Sequence, residues 1–176
     1  MKFIVVFTIS CLAISQSAAA PSLKVSVEEL SKVHQLLANT LTMNTAFFKK
    51  FLGEPVADAA QAFKTSSSEF ITQATEFSAT ATTQNAALIG SIDALTVAVR
   101  RIDNNIRGAL FEWVDAAAKI KTKLGEFVTE TTKPITDLLA ALATEAEVLV
   151  TPATQVQTDL KALQGALTAP PPTTDE

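Results

Sequence analysis

The sequence predicts an all-α protein: an elongated antiparallel bundle of four to five amphipathic helices with heptad-like apolar stripes. Three observations lead there. Glycine is scarce, five in 176 residues, while alanine is abundant. Apolar residues recur at spacings of three and four rather than two, the period of a helix buried on one face. Finally, Val56, Phe63, Phe70 and Phe77 stand seven apart, with the small residues Ala60, Ser67 and Ala74 interleaved. Rings set over small residues let two helices approach closely while the interior stays filled.

The amino terminus follows a different pattern. "MKFIVVFTISCLAISQSAAAP" has one early cation, Lys2, an apolar run from Phe3 to Ile14, and small residues at Ser17, Ala18 and Ala19. That is the pattern of a secretory signal peptide, with an apolar run shorter than the roughly 18 residues a membrane span needs. We therefore expect residues 1–19 to be removed, residues 20–168 to form the bundle domain, and the protein to be secreted and extracellular. The ending "APPPTTDE", residues 169–176, offers nothing to bury and is expected to be a disordered Pro/Thr tail. Removing Lys2 lowers the basic residues from 14 to 13 against 18 acids, a net charge of −5, which is a poor match for nucleic acid. The one cysteine, Cys11, lies within the signal. A cysteine-free mature chain has no disulfide, thiol catalysis or cysteine-ligated metal to draw on.

The elements follow in order. Ser26-Val-Glu-Glu29 matches a capping box and is expected to start the first helix. Val27, Leu30, His34, Leu37, Leu41, Phe48 and Phe51 then share one face until Gly53 and Pro55, so that helix should end near Leu52. A second helix should run from about Pro55 to Ala81, with Asp58 near the positive end of its dipole and the polar "SATATTQN" closing it. Leu88, Ile92, Leu95, Val99, Ile102 and Ile106 form a third row, and Leu110, Trp113, Ala117, Ile120, Leu124 and Phe127 resume it after a one-residue shift beside Gly108. Either one long helix passes a stutter there, or "DNNIRG" holds a bend or loop. Lys133-Pro134 is expected to end that segment. Beyond it, Ile135, Leu142, Leu149, Val156 and Leu163 stand seven apart, with Leu139, Ala146, Ala153, Leu160 and Leu167 in a parallel row. The phase crosses Pro152 intact, which predicts a kinked helix or two short helices on one axis.

Chemistry is narrowed by elimination. His34 is the single histidine, so a histidine metal cluster or a hydrolase triad lacks its parts, and we expect it to pack at the first helix. The carboxylates are scattered and the glycines isolated, which points to no cofactor, no metal and no enzymatic role. The candidate hydrophobic-ligand or core stripe is Phe63, Phe70, Phe77, Trp113, Leu142 and Leu149. The candidate anionic-surface contact is the basic group Arg100, Arg101, Arg107, Lys119, Lys121 and Lys123, whose alternative role is pairing with acids of neighbouring helices. Charged residues are only 18% of the chain and mean hydropathy is +0.27. Helix faces rich in Thr, Ser, Gln and Ala are weakly hydrated.

In periodicity and composition over most of the bundle, and locally at "LQGALT" from Leu163 to Thr168, the chain resembles the exchangeable apolipoproteins of the insect apolipophorin III type. That resemblance implies a secreted, cysteine-poor bundle that opens on lipid. The Phe stripe and low charge depart from that family's highly charged polar faces, and no family site carries across. The expectation from the residues is a secreted non-enzymatic bundle binding lipid or another hydrophobic ligand through its apolar faces. The alternative is an extracellular structural or interaction module that self-associates, or docks on a protein partner, through coiled-coil-like heptads.

Overall fold

A computed structural model describes residues 22–82, 85–112 and 115–169. The proposed signal peptide, Trp113 and the tail from residue 170 onward lie outside the described residues. All the regular structure described is helical: α1 (Leu23–Met43), α2 (Thr45–Phe51), α3 (Glu54–Thr80), α4 (Ala86–Phe111), α5 (Ala116–Glu145) and α6 (Val150–Thr168), with a 3-10 turn at Glu147–Leu149 before the last.

The first helix starts a turn earlier than the capping-box pattern predicts. Ser22 is its N-cap, accepting from the Val25 amide at 3.4 Å. The longer helix buries Leu23 beside Val27, and that apolar area outweighs the local box at Ser26. The helix also ends before Leu52. At Asn44 the side-chain amide donates to the Thr40 carbonyl at 2.7 Å, and the chain bends into α2, which turns Phe48 fully inward. Gly53 then reverses direction with φ 95°, a backbone region that side chains other than glycine's resist.

Helix α3 runs close to its predicted bounds, and Asn85 caps α4 by accepting from the amides of Ala87 and Leu88 at 2.9 and 3.1 Å. The segment from Leu88 to Phe127 does form two helices, but "DNNIRG" is itself helical. The reversal comes later, between the end of α4 at Phe111 and the start of α5 at Ala116, and Asp115 adopts a left-handed φ of 59°. Pro134 does not end a helix; it sits inside α5. Ile135, Leu138 and Leu142 continue the buried face of Phe127, Val128 and Thr131, so packing holds the helix through the missing amide. Pro152 likewise separates nothing. It lies in the first turn of α6, where amides have no intrahelical acceptor. The break falls at Ala146, and α5 and α6 lie side by side rather than on one axis.

The five long helices close a ring. Helix α1 touches α3 and α4, α4 touches α5, α5 touches α6, and α6 returns to α3. Neighbours along the chain are antiparallel: His34 meets Ser67 while Leu41 meets Gln61 across α1 and α3, and Arg101 meets Glu130 while Asn85 meets Glu145 across α4 and α5. An odd ring of alternating helices must contain one parallel pair. Here that pair is α1 and α4, joined through Thr40 to Asp103 and Arg100 to Glu29. At 30 residues, α5 spans about 45 Å.

Candidate functional site

The Phe stripe of α3 faces the axis of the ring. Phe63 and Phe70 are buried, Phe77 is half-buried, and Ala60, Ser67 and Ala74 are buried between them. Phe63 meets Phe127 of α5 edge-on, centroids 5.6 Å apart at 73°, a favourable approach for two rings. Leu142, on α5, and Leu149, in the 3-10 turn, are also buried. All five long helices contribute to one level of the core, where Leu30, Phe63, Phe70, Leu95, Phe127 and Val156 surround a void of about 40 Å³. That volume has room for water but is far below the roughly 300 Å³ of a small-ligand site.

His34 reaches this level from α1. Its Nε2 lies 2.7 Å from Ser67 Oγ, which also lies 2.6 Å from the Phe63 carbonyl. The carbonyl can only accept, so the serine proton goes to it and His34 donates to the hydroxyl. That is the reverse of the arrangement in which a histidine base draws a proton from a serine nucleophile. Burial, followed by the nearby Lys64 charge, lowers the His34 pKa to about 4. A second polar contact binds α1 to α4: Thr40 Oγ1 donates to the buried Asp103 carboxylate at 2.6 Å, and Arg107 pairs with its other oxygen. Ser26 Oγ is buried without a hydrogen-bond partner among the described residues.

The basic group is mostly engaged with acids. Arg100 pairs with Glu29, Arg101 with Glu130 at 2.7 Å, Arg107 with Asp103, Lys119 with Glu112 and Lys123 with Glu126. Lys121 is exposed and makes no ion pair among the described residues. Apart from Arg107, whose partner Asp103 is buried, these are exposed pairs that contribute little to stability.

The one-dimensional pattern also passed over an exposed apolar set. Met43 and Phe111 are each 83% exposed and Phe51 53%, whereas the apolar spacing predicts Phe51 on the inner face of a single long helix. The signal was the adjacency of Lys49, Lys50 and Phe51 just before Gly53, where a helix about to end need not keep its register. Among the described residues no three His, Cys, Asp or Glu side chains converge to hold a metal ion. Nor is any helix there long and apolar enough to cross a membrane. No protein-family model, curated protein or solved structure matches this chain.

Proposed function

We propose that this chain is an exported, non-enzymatic bundle that binds lipid through the apolar faces it keeps inward in the closed state. The observation that carries the reading is the mismatch between lining and volume. Apolar stripes from five helices meet around a void of about 40 Å³, so a lipid-sized ligand can reach Phe63 and Phe70 only if helices part. Each long helix is amphipathic and packs beside its ring neighbours, so parting exchanges helix–helix contacts for lipid contacts without breaking backbone hydrogen bonds inside helices. Polar groups within the packed surfaces, among them Ser66, Ser78, Thr96 and Thr131, make those contacts less apolar than an all-aliphatic core. Export rests on the pattern of residues 1–19.

Self-association through the heptad rows is disfavoured as a first step. Leu142, Leu149, Leu160 and Leu163 are spent on intramolecular packing, and would have to be released before pairing with another copy. Flotation in a density gradient with phosphatidylcholine vesicles, with and without phosphatidylserine, tests the proposal. Co-migration with either supports it, and protein left at the bottom with both overturns it.

A further inference from the structure

The ring topology gathers charge that is dispersed in the sequence. One half of the bundle, residues 35–66, 98–112, 115–130 and 160–169, holds ten Lys and Arg against seven Asp and Glu. The other half, residues 22–34, 67–97 and 131–159, holds three against nine. An acidic chain thus has one basic end. Because α1 and α4 are parallel, that end carries α2, the last turn of α4 and the first turns of α5. Met43, Phe51 and Phe111 are there, with Lys50 lying 5.2 Å from the Phe51 ring centroid. The opposite end exposes Val25 and Val148 but no exposed aromatic ring among the described residues.

We propose that this end, formed by α2 and the adjoining ends of α4 and α5, docks on an anionic lipid surface with the helices standing end-on to the bilayer. The chemistry of the two halves selects that partner. Exposed aromatic and thioether side chains can enter the headgroup boundary, while lysines on flexible stems meet the phosphates and carboxylates above it. The acidic half is turned away by the same field. Stacking of the basic end on the acidic end of a second copy fits less well. The groove near that acidic end, lined by Ala86, Gly90, Ala94 and Ala140, has as its charged lining Lys133 and Asp137, which pair with each other. The negative charge of that half thus lies on its helix faces and not in the groove, which leaves the exposed rings of the basic end no charged apolar recess to enter on a second copy. This inference rests on the lipid reading and deepens it by naming the headgroup charge and the orientation.

The test compares two triple substitutions with equal change in charge, each protein purified by the same route with the same amino terminus. K49Q/K50Q/K121Q neutralises the basic end, and K24Q/K32Q/K133Q removes three exposed lysines from the acidic half. The probe is phosphatidylcholine vesicles containing phosphatidylserine, with binding measured by co-sedimentation. The first variant should bind on the order of tenfold or more weakly than wild type. The second should change by less than about twofold, because those lysines stand beyond a Debye length of about 10 Å from the surface. F51S/F111S should also weaken binding while leaving the helical circular dichroism spectrum intact, since both rings are exposed. Equal losses from both triples would overturn end-on docking and leave the lipid reading standing. Wild type that binds neither neutral nor anionic vesicles would overturn both. Salt-sensitive self-association by sedimentation, without vesicle binding, would replace them with stacking of copies.

Discussion

At His34 the cost of burial falls on the charged form. Its folded pKa, about 4, lies below its ordinary value of 6.5, so the unfolded chain binds a proton first as pH falls. The contribution of this group to stability is therefore full above pH 6.5 and is lost down to about pH 4, on the order of 3 kcal/mol in total. H34L should flatten that limb, because Ser67 keeps its bond to the Phe63 carbonyl; urea titrations at a series of pH values check it, and an unchanged slope would locate the titrating group elsewhere. Ser26 makes the opposite case. Its hydroxyl is buried without a partner among the described residues, so S26A should raise stability by about 1 kcal/mol through removal of that penalty and better helix propensity. A loss of similar size would mean that the hydroxyl is bonded to a buried water. The sequence placed His34 on the packed face correctly. It could not supply Ser67 as its partner, since the two residues stand 33 positions apart and nothing local marks the pairing.

Among the elements, Gly53 and Pro55 mark a real boundary, whereas Gly108, Pro134 and Pro152 do not. A proline within α5 removes one backbone donor and crowds the preceding turn, yet the row from Phe127 through Ile135 to Leu142 stays buried on one face. P134A should restore an amide for the Glu130 carbonyl and raise stability by about 1 to 3 kcal/mol in chemical denaturation. A decrease would show that a bend at residue 134 is needed to seat Ile135 and Leu138. The same balance explains α1, where burying Leu23 outweighed a well-formed capping signature. In both cases a local signal of about 1 to 3 kcal/mol competed with buried apolar side chains of comparable value. Local spacing showed a change of phase beside Gly108 but left open whether it marks a stutter or a break, and Gly108 lies inside α4. The reversal lies between α4 and α5, where Asp115 takes a φ of 59°; aspartate tolerates that region, but a single Asp among many carries too little signal to place a turn.

At the scale of the whole molecule, opening on lipid would change which surfaces touch without unmaking the helices. Far-ultraviolet circular dichroism should therefore stay nearly constant when saturating vesicles are added, since the backbone bonds are intrahelical. A large fall in helical signal would count against opening by the separation of intact helices. The Phe63, Phe70, Leu142 and Leu149 stripe was legible because the heptad period reports burial directly. Its environment was not: a row can face the centre of a ring or a partner with the same spacing.

What the sequence determined by itself was the all-α class, the inward faces and the limits of α3, because those depend on the period of apolar residues along a single chain. Tertiary structure alone decided the order of the ring, with α1 beside α4 and α6 beside α3, and thereby which distant residues became neighbours. It also set Lys49 and Lys50 at the same end as Lys119 and Lys121, and left Met43, Phe51 and Phe111 uncovered there. Charge and exposure are properties of a surface, and no surface exists until helices far apart in the chain have been packed together.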